Sequence, residues 1–64
     1  MAKTDLTVQL TGEDGNVFNL AGIVTTELKR NGYRDEAKEV SERLFKCESY
    51  EAALRMFMEY VNVK

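Results

Sequence analysis

The stretch Leu10-Thr11-Gly12-Glu13-Asp14-Gly15-Asn16-Val17-Phe18-Asn19-Leu20 decides the fold, because an alternating apolar pattern ends there and a helical pattern begins. Upstream, Leu6, Val8 and Leu10 alternate with polar residues, which is typical of a strand with one buried face. The glycines, acidic residues and asparagine that follow the alternation are typical of a tight turn. We therefore predict a strand over residues 4–11 that ends in a turn.

Two structures are compatible with the residues after this turn. Asp14-Gly15 favours a hairpin with a second strand over residues 17–20, whereas Asn16 favours the N-cap of a helix. Apolar residues recur downstream at helical spacing, and this favours the helix. They are Val17, Leu20, Ala21, Ile23, Val24 and Leu28. We predict a helix from about residue 16 to 31, closed by a left-handed cap at Asn31-Gly32.

Gly22 lies in the interior of this predicted helix. A glycine there costs about 1 kcal/mol relative to alanine. We therefore predict that another part of the backbone packs closely against Gly22.

Two further helices and a terminal strand complete the predicted fold. Residues 35–46 have an acidic first turn and a basic later turn, and residues 50–60 follow Ser49 as a candidate N-cap. Residues 60–64 alternate again and include two valines, which favours a short strand. We predict one α+β domain over residues 1–64, in the order strand, three helices, strand, with the terminal strands paired and residues 1–4 frayed. A three-helix bundle with frayed ends is the alternative.

The composition restricts the chemistry that the chain can perform. It has no histidine, one cysteine (Cys47), nine Lys plus Arg and eleven Asp plus Glu. Without an imidazole, the common metal sites and Ser/His/Asp or Cys/His catalysis are excluded, and the net charge of −2 disfavours general affinity for nucleic acid. No signal-peptide pattern or apolar run of membrane-spanning length occurs. We expect a cytoplasmic protein without cofactor, small-molecule substrate, membrane association or enzymatic activity.

Residues 10–22 and the tail Met58-Glu59-Tyr60-Val61-Asn62-Val63 resemble a group of very small uncharacterised proteins encoded by bacterial phages and mobile elements. The shared features are an opening strand, the turn Gly12-x-Asp14-Gly15-Asn16, an apolar helix, and a Tyr-rich closing helix with an alternating tail. The resemblance implies an accessory protein of a phage or mobile element and no particular activity.

The third predicted helix carries more apolar residues than a surface helix needs. Tyr50, Met56 and Tyr60 belong to residue types that suit protein interfaces, and Met56 and Tyr60 lie on the flank of the apolar stripe. We predict a non-enzymatic interaction module that uses this flank to bind a protein partner or a second copy of itself.

A small nucleic-acid-binding regulator is the alternative function. Lys29, Arg30, Arg34 and Lys38 flank the junction of the first two helices and form a candidate phosphate-contacting patch. A cation or an anion at the Gly12 to Asn16 turn is disfavoured, because the ligand pattern of a calcium loop is missing and Glu13 and Asp14 would repel an anion.

Overall fold

The computed structural model describes residues 2–10 and 16–64, which form two short strands and three helices around one core. In chain order the elements are β1 (Thr7–Val8), α1 (Val17–Arg30), α2 (Arg34–Leu44), α3 (Tyr50–Met58) and β2 (Asn62–Val63). The predicted α+β order is confirmed. The three-helix bundle is wrong, because β1 and β2 pair into a sheet.

The sheet is parallel, with Thr7 opposite Asn62 and Val8 opposite Val63. The Asn62 amide donates to the Leu6 carbonyl at 2.8 Å, and the Lys64 amide donates to the Val8 carbonyl at 2.9 Å. Parallel neighbours need a long crossover connection, which the three helices provide. Only two residues of the predicted first strand have regular strand structure. Its alternation is confirmed over residues 7–10, since Val8 and Leu10 are buried and Thr7 and Gln9 are exposed.

The N-terminal segment is attached to the turn that follows α3. The Lys3 amide donates to the Glu59 carbonyl at 2.9 Å, and the Thr4 hydroxyl donates to the Tyr60 carbonyl at 2.7 Å. Thr4 is itself buried. The prediction that residues 1–4 are frayed is therefore wrong for Lys3 and Thr4, because the last turn of the chain presents free carbonyl groups to them; Met1 lies outside the described residues.

The helix boundaries follow from their capping residues. The Asn16 side chain accepts from the Phe18 amide, and the Ser49 side chain accepts from the Ala52 amide, so both predicted N-caps are confirmed. Gly32 has a φ of 86°, which confirms the left-handed cap after α1. Residues 11–15, which include most of the predicted turn and of the cation or anion site considered there, lie outside the described residues.

The core lies between the sheet and the inner faces of the helices. α1 packs mainly against α2, and both contact α3. The buried apolar residues form one cluster. They are Val8, Leu10, Leu20, Ala21, Val24, Leu28, Ala37, Val40, Ala53, Met56, Phe57, Tyr60 and Val61.

Gly22 lies on the exposed face of α1, and a Cβ built there would have nothing within 4 Å. The prediction of close backbone packing against Gly22 is wrong for residues 2–10 and 16–64, because α1 turns its other face to the core. We expect Gly22→Ala to raise the free energy of unfolding by about 0.5–1 kcal/mol, because alanine has the higher helix propensity and meets no neighbour. Urea unfolding of both proteins measures this difference, and a less stable variant would contradict it.

Candidate protein-interaction groove

The three predicted interaction residues differ in their exposure to solvent. Tyr50 is 45% exposed, but Met56 and Tyr60 are 2% and 1% exposed. The prediction that Met56 and Tyr60 form an exposed flank is wrong, because α3 and the turn after it are covered by α1, α2 and the N-terminal segment. These two residues belong to the core.

The ring of Tyr60 is buried, and its hydroxyl group forms hydrogen bonds with polar side chains. The hydroxyl donates to Glu39 Oε1 at 2.7 Å and accepts from Arg43 Nη1 at 3.2 Å. Lys3 Nζ lies 4.9 Å from the centre of the ring. Tyr60 thereby joins the N-terminal segment and α2 to the last turn of the chain.

Two ion pairs surround this hydroxyl group. Arg43 binds Glu59 through two hydrogen bonds of 3.1 and 2.9 Å, and Lys3 Nζ lies 3.3 Å from Glu39 Oε1. Hydrogen bonds from Tyr60 and then Lys3 lower the pKa of Glu39, and the hydrogen bonds from Arg43 lower the pKa of Glu59. The four charged side chains are half exposed, so each pair contributes modestly to stability.

The lowered pKa values of Glu39 and Glu59 predict that the stability of the fold depends on pH. A carboxyl group whose pKa is lower in the folded state stabilises the fold above its ordinary pKa, and this stability is lost as the pH falls through the folded pKa. We expect the wild-type protein to exceed Glu39→Gln and Glu59→Gln in stability at pH 6 and to lose that advantage below about pH 4. Urea midpoints at both pH values measure this, and an advantage that is independent of pH would contradict it.

An apolar groove lies between the beginning of α1 and the connection from α2 to α3. Its volume is about 360 Å³. The side chains that line it are Val17, Phe18, Leu44, Phe45, Cys47, Glu48, Ser49, Tyr50 and Ala53. Phe18 is 64% exposed and Phe45 is 81% exposed, so together with Tyr50 three aromatic side chains border the groove and contact solvent.

Local structure explains why these aromatic residues are held at the surface. Phe18 lies in the first turn of α1 and outside its buried stripe, and its amide is bound by the Asn16 cap at 2.8 Å. Tyr50 is the first residue of α3, directly after the Ser49 cap. Phe45 follows the last residue of α2, where the chain turns towards α3. All three therefore lie at helix ends, where the backbone is held by caps and turns.

Sequence reasoning identified Tyr50 but missed Phe18 and Phe45. A signal was available for both: Phe18 is out of phase with the apolar stripe of α1, and Phe45 is out of phase with the Ala37, Val40 and Leu44 stripe of α2. Both phenylalanines therefore lie outside the apolar stripes that pack in the core.

A second depression, a shallow trough, lies along the exposed face of α1. Its volume is about 410 Å³, and Phe18 borders both depressions. The residues that line it are Phe18, Asn19, Gly22, Ile23, Thr26, Glu27 and Arg30. The groove and the trough together extend over most of the length of α1.

The four predicted phosphate contacts are all exposed and flank the turn between α1 and α2. They are Lys29, Arg30, Arg34 and Lys38. Arg30 Nη1 lies 3.3 Å from Glu27 Oε2, and the first turn of α2 carries Asp35 and Glu36. The structure thus brings the cations to one end of the helix pair but mixes them with carboxylates.

Neither a metal-ligand cluster nor a membrane-spanning helix occurs in the described part of the chain. Within residues 2–10 and 16–64, no group of three acidic, cysteine or histidine side chains could hold a metal ion. None of the helices in this part of the chain is long and apolar enough to cross a bilayer.

Comparison with protein-family models, with curated proteins and with solved structures finds no match to this chain.

Proposed function

We propose that the protein is a non-enzymatic interaction module that binds an apolar segment of a partner protein in the aromatic groove. The observation that carries this proposal is the presence of three exposed aromatic side chains, Phe18, Phe45 and Tyr50, around one concave apolar surface. A domain of 64 residues has few apolar side chains to use in its core. Two phenylalanines that remain largely in water contribute little to that core, whereas a partner that covered them would gain the free energy of burying them.

The groove has the physical properties of an anchor site. Aromatic residues are enriched in interface centres, and a small number of buried aromatic contacts dominate the binding energy of many interfaces. The base of the groove is held by Ala53, which is buried, and by Leu44 and Cys47, which are partly buried. Because the base belongs to the packed domain, the groove exists before a partner arrives and little ordering is needed for binding.

Nucleic acid is the less favoured ligand. Phosphate binding needs a field of positive charge, but the chain carries a net charge of −2 and Arg30 is paired with Glu27. The cations also lie at the opposite end of α1 from the groove, since Lys29 and Arg30 occupy its last turn and Phe18 its first. The aromatic side chains therefore do not serve as a stacking platform beside this patch.

A selection from random peptides tests the proposal without knowledge of the natural partner. Yeast cells displaying 18-residue random peptides are sorted with the labelled, folded protein, and recovered peptides are titrated against variants. We expect Phe45→Ser to weaken binding about tenfold or more, because it removes the most exposed aromatic side chain from the groove.

Met58→Ser is the matched control, because Met58 is 50% exposed but does not line the groove. This substitution should leave the affinities within about twofold of the wild-type values. If no recovered peptide distinguishes Phe45→Ser from Met58→Ser, the groove is not a binding site and the proposal is overturned. Recovery of nucleic acid with the protein, lost on Arg30→Glu and Arg34→Glu, would favour the alternative function instead.

A further inference from the structure

We propose that the occupant of the groove is an amphipathic helix of a different protein, which lies along α1 and places a basic residue beside Glu48. This inference rests on the proposed function and adds the chemistry of the partner segment. Three observations carry it: the trough along α1, which shares Phe18 with the groove, the charge at the groove, and the area of the exposed aromatic surface.

The exposed face of α1 is long enough for about four turns of a partner helix. α1 has 14 residues and is therefore about 21 Å long, and the groove and trough meet at Phe18. A partner helix in this position would insert its apolar side chains into the groove at one end and pack over Gly22 in the middle. Recognition of an amphipathic helix in a groove commonly uses anchors that are three, four and seven residues apart.

Gly22 is the position at which a second helix could come closest to α1. Its Cβ position faces open space, so no contact within the described chain accounts for a glycine in the interior of this helix. A glycine lets another backbone approach more closely than any other residue does. The close approach that the sequence suggested within the chain is thus assigned to a partner.

The charge at the groove indicates a basic residue on that partner. Glu48 is the charged residue among the side chains that line the groove. Within residues 2–10 and 16–64, no side chain forms an ion pair or a hydrogen bond with its carboxylate. A lysine or arginine next to the apolar anchors would complement this charge and fix the direction of the bound helix.

A second copy of the chain fits this surface less well. Phe18, Phe45 and Tyr50 together expose roughly 300–450 Å², if a full aromatic side chain presents about 150–250 Å². This is about half of the roughly 800 Å² that each partner buries in a stable interface of standard size. A two-fold contact through the groove would also bring the Glu48 carboxylates of both copies together, which is repulsive.

The peptides recovered with the folded protein test the inference through their sequence and conformation. Among those that lose binding to Phe45→Ser, we expect apolar residues at helical spacing and enrichment of lysine and arginine over aspartate and glutamate. Synthetic versions should become helical on binding, as measured by circular dichroism. We expect Glu48→Lys to weaken the binding of these peptides about tenfold. Glu51 is an exposed neighbour that lines neither depression, so Glu51→Lys should change their affinity less than about threefold.

Gly22→Ala provides an independent readout, because it is expected to stabilise the free domain. We expect it to weaken the binding of the same peptides about tenfold while the urea midpoint rises. A loss of affinity in this variant therefore cannot result from a loss of folding. A variant such as Thr26→Ala, also on the trough, should change binding less than about threefold.

The possible results separate this inference from the function on which it rests. If peptides depend on Phe45 but are extended, lack basic residues or ignore Glu48→Lys and Gly22→Ala, the inference is overturned and the proposed function stands. If no peptide depends on Phe45, the proposed function is overturned, and the inference with it. A dimer in sedimentation experiments that Phe45→Ser dissociates would identify a second copy as the occupant and would also overturn the inference.

Discussion

Phe57→Ala is expected to lower the free energy of unfolding by about 3–5 kcal/mol, whereas Phe45→Ala should change it by less than about 0.5 kcal/mol. The chemical change is the same in both variants, but Phe57 is completely buried and Phe45 is 81% exposed. Truncation of Phe57 removes a large side chain and leaves a cavity that the helices around it fill only partly. Truncation of Phe45 removes atoms that already contact water.

Urea unfolding followed by far-ultraviolet circular dichroism measures both effects. A domain of this length has a stability of roughly 3–10 kcal/mol, so Phe57→Ala should lose at least about a third of it. Phe45→Ala should keep the wild-type spectrum and midpoint. A large loss of stability in Phe45→Ala would show that this side chain belongs to the fold and would remove the main argument for the groove.

Tyr60→Ala is expected to lower the free energy of unfolding by about 3–5 kcal/mol, and Tyr60→Phe by about 1 kcal/mol. The ring of Tyr60 is buried, so its removal opens a cavity beneath the N-terminal segment. The hydroxyl group alone contributes less, because its partners Glu39 and Arg43 are about half exposed and can bind water instead.

The two Tyr60 variants distinguish the packing contribution from the polar one. Amide hydrogen exchange should show that Tyr60→Ala lowers the protection of Lys3 and Thr4, whose amides bind the carbonyl groups of Glu59 and Tyr60. Tyr60→Phe should keep most of this protection. Equal losses of stability in both variants would mean that the hydroxyl network, and not the ring, holds the termini together.

Local signals in the sequence were sufficient for both ends of α1 and for the beginning of α3. The limits of α1 follow from Asn16, which caps its first turn, and from Gly32, which has the left-handed conformation after its last turn. Ser49 similarly defines the beginning of α3. Such caps can be predicted because the side chain and the amide that it binds are two or three residues apart. The end of α3 was predicted too late, since the turn at Glu59 follows from the need to bring β2 beside β1.

The candidate site was predictable only in part. Tyr50 was recognised as a candidate interface residue and is exposed, but Met56 and Tyr60 are buried. Which flank of α3 is covered depends on the positions of α2 and the N-terminal segment, and these contacts join residues far apart in the chain. Lys3 and Glu39, for example, are 36 positions apart and meet only after folding.

By itself the sequence determined the order of the elements, the helix caps and the alternation that buries Val8 and Leu10, because these depend on neighbours a few residues apart. Only the tertiary structure decided that the strands are parallel, that Tyr60 is in the core and that Phe18, Phe45 and Tyr50 surround one groove. The physical reason is that burial is a property of packed surfaces: a periodic pattern shows that a helix has an apolar face, but the other elements determine how much of it is covered.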